Sequence, residues 1–167
     1  EGYKLFRATD KYFADAEVIT DGYGTPMFMK PIFQCDLKNG KFGFTDFGLV
    51  NGAAYNLGSE TGITHVFIDN NVMNGRTYYY GLVAYDYGAP NIGPGISPSE
   101  NNIVVELNEA EEVRSIGKNI AIVTPYKPAA GYISPDITID DSKLTGGGKV
   151  EPSILAQSSI NNNHQYQ

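Results

Sequence analysis

The sequence predicts an all-β protein built as an antiparallel sandwich. Three observations lead there. The stretch 77–87, Thr-Tyr-Tyr-Tyr-Gly-Leu-Val-Ala-Tyr-Asp-Tyr, is rich in the aromatic and β-branched residues that fit a pleated surface. The chain of 167 residues holds 19 Gly and 9 Pro with 12 Tyr, 8 Phe and no Trp, which suits many short strands and frequent turns. Asn-Gly pairs recur at Asn39-Gly40, Asn51-Gly52 and Asn74-Gly75, and an Asn-Gly pair between apolar runs favours a type I′ hairpin turn.

Taken in order, residues 1–9 form the first expected strand. Side chains alternate between faces along a strand, so Tyr3, Leu5 and Arg7 share one face and Lys4 and Phe6 the other. Residues 10–30 mix charge, Gly and aromatics and read as loop, with a short strand near 17–20 and turn signals at Asp21-Gly22 and Gly24-Thr25-Pro26. Residues 32–47 read as a hairpin. Ile32, Phe33, Cys35 and Leu37 lead into Asn39-Gly40, and Phe42, Phe44 and Phe47 lead out. Residues 63–72 form a further expected strand, and Asn74-Gly75 turns the chain into the Tyr-rich strand. There Tyr78, Tyr80, Leu82 and Ala84 share one face, and Tyr79, Gly81, Val83 and Tyr85 the other. After a loop of Gly, Pro, Asn and Ser, a Val-rich strand over 102–107 pairs back onto it.

Beyond 107 the character changes. Residues 108–118 are rich in charge and read as a helical turn or a solvated connector. Residues 119–135 alternate apolar residues with Pro, which favours an extended strap, because Pro fixes its own backbone and restricts the residue before it. Short strands are expected at 136–140 and 149–155, separated by the Gly146-Gly147-Gly148 turn. The tail 157–167 is polar loop.

The run Tyr78-Tyr79-Tyr80-Gly81-Leu82-Val83-Ala84-Tyr85, followed by a Gly-rich turn, Ser97-Pro98-Ser99 and a Val-rich strand, resembles strands F and G of a fibronectin type III domain, an immunoglobulin-like sandwich. On that resemblance Tyr78 is the tyrosine corner, and Tyr80, Leu82 and Ala84 are the inward row. Gly2-Tyr3-Lys4-Leu5-Phe6-Arg7 is similar to strand C, residues 63–72 to strand E, and the hairpin 32–47 is an insertion between them. The resemblance covers 1–107. It implies a module at 1–107 without strands A and B, a linker or strap at 108–135, and a partial second β-unit at 136–167. The missing strands come from a longer polypeptide or from a neighbour, since a sandwich short of two strands leaves a bare edge. The implied function is a non-catalytic structural or adhesive module of a secreted or cell-surface protein. Two alternatives stay open. One is a subunit of an extracellular filament or surface layer, completed by a neighbour's strand. The other is a glycan-binding accessory module of a secreted hydrolase.

The formal net charge of −7, with no Lys/Arg cluster, argues against nucleic acid as the main partner. No apolar run approaches the ~20 residues of a membrane-spanning helix. The lone Cys35 excludes an internal disulfide framework and reads as a small buried hydrophobe. His65 and His164 are too isolated for a catalytic or zinc constellation. Gly146-Gly147-Gly148-Lys149-Val150 lacks the spacing and the Ser/Thr of a phosphate loop. Asp69-Asn70-Asn71 and Asp136 with Asp140-Asp141 supply oxygen ligands suited to Ca²⁺, or equally turn residues that bond their own backbone. Tyr3, Phe67, Tyr78 and Tyr80 are expected in the core. Tyr12, Tyr79, Tyr85 and Tyr87 are expected to be exposed, where they could stack on sugars or a partner. No residue is assigned a catalytic, cofactor-binding or metal-binding role.

Overall fold

A computed structural model describes residues 1–16, 18–20, 23, 26–50, 52–143, 145–155 and 160. They are all-β, with eight strands: β1 (Gly2–Ala8), β2 (Val18–Thr20), β3 (Pro26–Met29), β4 (Phe33–Asp36), β5 (Tyr78–Tyr85), β6 (Val105–Leu107), β7 (Val113–Ile116) and β8 (Ile120–Val123). The principal sheet is antiparallel and four-stranded, in the order β4-β1-β5-β8. Two-stranded ribbons, β2-β3 and β6-β7, complete the ladders. The chain divides into two compact units, Glu1–Tyr126 and Lys127–Gln167, and the first takes in β7 and β8.

β1 is at the centre of this sheet, because it alternates as expected and pairs along its length with β5 and over Gly2–Leu5 with β4. Leu5 faces Phe33 on β4 and Leu82 on β5, while Phe6 faces Gly81. The inner face carries Lys4, Phe6 and Ala8 from β1 and Val83 and Tyr85 from β5, all buried. Phe6, Ala8 and Val83 pack with Phe13 and Ala16 from the loop after β1, and Met29, Tyr79, Ile103 and Val105 close over them. A Cβ on Gly81 would lie 2.6 Å from the Ile103 side chain, so the missing side chain lets Ile103 settle on the sheet. A second cluster joins Tyr85 to Tyr55 and Leu57.

This packing corrects the expected inward row. Gly81, Val83 and Tyr85 are buried with Tyr79 half-buried beside them, whereas in the expected row Tyr78 is buried as expected, Tyr80 is half-buried, Ala84 is exposed and Leu82 is 44% exposed. Both rows of β5 are apolar, so alternation alone does not say which one the loops 10–16 and 103–105 will cover.

Three further expectations about pairing are corrected. The hairpin 32–47 does not form. Its first half is β4, paired with β1, and its second half pairs with 55–58 through Gly43 N to Gly58 O, Leu57 N to Gly43 O and Thr45 N to Tyr55 O. Gly40 keeps the positive φ of a turn, but the Asn39 side chain caps Lys41 N there and the chain leaves the sheet. Residues 63–72 run without a ladder across the outer face and are held by side chains instead. The strand at 102–107 pairs with β7, not with β5. The place beside β5 is taken by β8, and Asn119 seals the junction, accepting from Leu82 N and donating to Leu82 O and Asn102 O. Only 99–101 returns to β5, through Asp86 N to Ser99 O and Asn101 N to Ala84 O.

Of the helical turn or solvated connector expected after 107, residues 108–112 are an exposed Asx-type turn, in which the Asn108 side chain accepts from Ala110 N and Glu112 N and leads into β7. The first part of the strap is β8. In the second unit, the strands expected at 136–140 and 149–155 form no ladder, and the regular element there is a single 3₁₀ turn at Asp141–Lys143. Glu17, Asp21, Gly22, Gly24, Thr25, Asn51 and the tail 157–167 apart from Ile160 fall outside the described residues, and His164 with them.

Candidate binding face

The outer face of the sheet is the surface on which a site can be built. Tyr3 and Leu5 from β1, Phe33 and Cys35 from β4, and Tyr80, Leu82 and Ala84 from β5 point to it, as the register dictates. Residues 61–71 cross this face diagonally. At the β4 end Cys35 Sγ lies 3.7 Å from Thr64 O, and the Phe67 ring stacks on Phe33 at 4.8 Å between centroids. At the β5 end Asp69 ties the segment down. Both its oxygens accept from Arg7 Nη1, at 3.1 and 2.8 Å, and Oδ2 also accepts from the Tyr80 hydroxyl at 2.8 Å. Arg7 Nη1 further donates to Asn71 O.

These contacts set the local charge chemistry. Burial raises the Asp69 carboxyl, but the Asn71 amide, the Tyr80 hydroxyl and Arg7 outweigh it and hold it below the usual carboxylate range. Burial and then the Asp69 carboxylate push the Tyr80 hydroxyl up to about 12.

Between the crossing segment and the sheet lies a cleft of about 260 Å³, floored by Tyr3, Leu5 and Leu82 and walled by Phe33, Val66 and Phe67. Tyr3, Val66, Phe67 and Leu82 all retain substantial exposure. A second cleft of about 220 Å³ lies by Arg7, Asp15, Arg76 and Tyr78. The Arg7 and Arg76 guanidinium carbons stand 5.6 and 5.9 Å from the Tyr78 ring centroid.

The inner face holds a buried ionic cluster that the sequence reading passed over. Lys4 Nζ donates to Glu100 at 3.2 Å and sits 3.8 Å from the Tyr55 ring centroid and 4.9 Å from that of Tyr85. The Tyr55 hydroxyl donates to the same carboxylate oxygen. Burial lowers the Lys4 ammonium and Glu100 partly restores it; burial and then Glu100 raise the Tyr55 hydroxyl. The available signal was a Lys in the apolar row of β1, alternating with Phe6 and Ala8.

Two other carboxylates staple loops. Asp36 accepts from Glu60 N, Thr61 N and the Thr61 hydroxyl. Asp86 accepts from Gly88 N, Ser99 N and the Ser99 hydroxyl.

The residues singled out in the sequence fall as follows. Tyr85 is 3% exposed, and its hydroxyl donates to Leu57 O, so the expectation that it is a surface stacking residue is corrected. Tyr79 is half-buried against the inner core, not exposed. Tyr12 is exposed; Tyr87 is half-buried, with Phe47 edge-on and Lys41 Nζ 4.2 Å from its ring centroid. Tyr3 and Phe67, expected in the core, are at the open cleft, and His65 lines it. Cys35 is buried. Asp140 accepts from Ser142 N as a turn residue. Among the described residues no group of three or more His, Cys, Asp or Glu is placed to hold a metal ion. No helix among them is long and apolar enough to cross a membrane.

No family model, curated protein or solved structure matches the chain.

Proposed function

We propose that the chain is a non-catalytic structural or adhesive module of a secreted or cell-surface protein, built as part of an immunoglobulin-like, fibronectin type III-like sandwich. One observation carries this reading. Strongly perturbed titratable groups are the raw material of an active site, and here Lys4, Asp36, Asp69, Tyr55, Tyr80 and Asp86 are each engaged in fastening a loop or a return segment to the sheet. Their electrostatic energy goes into holding shape.

A detail at Tyr78 supports the sandwich family. Its hydroxyl accepts from Met73 N, five residues upstream, at 2.8 Å. A tyrosine corner makes that kind of backward bond at the start of strand F. In this reading the outer face of the sheet is the side that a second sheet covers, and residues 63–72, in the place of strand E, lie across it without a ladder.

The test is limited proteolysis of intact source cells and their culture medium, with mass spectrometry of the released peptides. Peptides of this chain released from the cell surface, or found in the medium, support the reading. Recovery from the cytosol alone refutes it. The open cleft beside 64–67 favours a second reading, in which copies of the module complete one another and assemble.

A further inference from the structure

We infer that residues 133–139 of one copy dock as a β-strand in the cleft on the outer sheet face of a second copy, beside residues 64–68. The inference rests on the self-assembly reading and names its donor and acceptor.

The acceptor is an apolar floor next to an unpaired extended backbone. Leu5, Leu82 and Tyr3 form the floor, and 65–68 beside it make no backbone–backbone hydrogen bond among the described residues. Val66 and Ile68 stand exposed on that segment. Strand addition uses this combination: main-chain bonds supply affinity, and pockets for alternate side chains supply specificity.

The donor is written in the second unit. Ile133-Ser134-Pro135-Asp136-Ile137-Thr138-Ile139 alternates apolar and polar residues with the period of a half-buried strand. Yet it forms no ladder with any described residue, and Ile133 is 88% exposed. Seven residues extend roughly 23 Å, the reach of the facing run 63–69.

Pro135 fixes the orientation. Its side chain lies in the apolar row, so its missing N–H belongs to the edge opposite the one served by Ser134, Asp136 and Thr138. Pro is tolerated where that edge stays unpaired, so the even-numbered residues pair with 64–68 and the isoleucines face Leu5 and Leu82.

Charge sets the direction. A strand parallel to 64–69 brings Asp140 toward Arg76, whose guanidinium donates only to the Thr9 hydroxyl among the described residues. Both halves of the contact lie on this one chain, so copies of it can complete one another; docking within a single chain would instead leave the wild type monomeric at every concentration.

Sedimentation velocity on the full chain tests this. The wild type is expected to associate with rising concentration into multiples of 18.2 kDa. Leu82→Lys in the acceptor and Ile137→Lys in the donor should each leave a monomer. An equimolar mixture of the two variants should give a 1:1 dimer, since one intact groove and one intact strand remain. That recovery cannot come from a misfolded variant. A mixture that stays monomeric overturns the inference. Association unchanged in both single variants also overturns it, while leaving self-assembly standing. A wild type that is monomeric throughout sinks both.

Discussion

Removing the Asp36 carboxylate should cost the fold about 3–4 kcal/mol. Asp36 is fully buried at the end of β4, and its oxygens accept from Glu60 N at 2.6 Å, Thr61 N at 2.9 Å and the Thr61 hydroxyl at 2.9 Å. A hydrogen bond to a charged group contributes about 1.5–3 kcal/mol. The Thr61 amide and hydroxyl are near enough to solvent to regain water and count for about 1 kcal/mol each, while the less exposed Glu60 amide counts for about 1.5–2 kcal/mol. Asp36→Ala is therefore expected to lose about 3–4 kcal/mol from a total of roughly 5–15 kcal/mol. Asp36→Asn keeps one acceptor and turns an NH₂ toward a backbone donor, for a loss of about 2 kcal/mol. The pH dependence has a definite sign. Burial raises the Asp36 carboxyl, but the amides of Thr61 and Glu60 and the Thr61 hydroxyl outweigh it and hold it below the ordinary range. A depressed carboxylate stabilises the fold above its unfolded value, near 3.9, and that stabilisation is lost as pH falls through the folded value. The gap between wild type and Asp36→Asn should be complete at neutral pH and narrow below about pH 4. Urea denaturation followed by tyrosine fluorescence, which no Trp obscures, measures both quantities. A loss under about 1 kcal/mol for Asp36→Ala at pH 7, or a gap to Asp36→Asn that does not change down to pH 3, would refute the reasoning. A Cβ on Gly58 would lie 2.6 Å from Asp36 Cγ, so Gly58→Ala should cost about 1–2 kcal/mol less in the Asp36→Ala background than alone.

Tyr78→Phe leaves Met73 N without its acceptor and should lower stability by about 1 kcal/mol, read from the urea midpoint at unchanged slope. Lys4→Met leaves Glu100 without its buried cation and should cost about 1–2 kcal/mol, while Lys4→Met with Glu100→Gln recovers most of it, because a neutral pair of similar shape avoids the desolvation; a double-mutant cycle measures this. Glu111 turns the β6–β7 ribbon at φ +59°, so Glu111→Gly should raise stability by about 1 kcal/mol in thermal unfolding. Val83→Ala, on the covered row of β5, should cost about 2 kcal/mol in dilute solution. Leu82→Ala, on the open row, should cost about 1 kcal/mol or less there, and a cost for Leu82 equal to that of Val83 would mean the outer face is already filled.

The strands with the strongest alternation were legible in the sequence. β1 and β5 lie where the apolar period places them, and the β2–β3 ribbon lies near the strand read at 17–20. What the sequence hid was pairing. Phe33 and Cys35 look like half of a hairpin because Asn39-Gly40 follows, yet β4 finds its partner far earlier in the chain, at Tyr3 and Leu5. Turn chemistry is local, whereas a ladder is decided by the apolar surface available across the whole sheet. Residues 63–72 carry β-propensity in Ile63, Val66, Phe67 and Ile68, but Asp69 is bound by Arg7 and Tyr80 and fixes the segment across the strands instead of along one. Asp69 was legible as a turn residue accepting from Asn71 N, but the long-range carboxylate staples were invisible for a different reason. Asp36, Asp69 and Asp86 each accept from a partner distant in the sequence, and only the folded chain brings those donors together.

The two rows of β5 explain both the success and the error. A strand with one wet face alternates apolar and polar residues, whereas a strand covered on both faces is apolar throughout. Leu82-Val83-Ala84 is of the second kind, so finding β5 was straightforward and orienting it was not. Inside this chain one row is covered by Phe13, Ala16 and Ile103, while the other meets the crossing segment 61–71 and, at Tyr78, Met73, with Leu82 still in contact with solvent beside Tyr3. The local sequence of β5 is thus suited to more cover than Glu1–Tyr126 supplies, and the second unit holds an alternating stretch with no ladder of its own. An apolar row in want of a layer and an extended segment in want of a sheet are complementary deficits. Satisfying both at once buries apolar surface and pairs exposed backbone in a single contact.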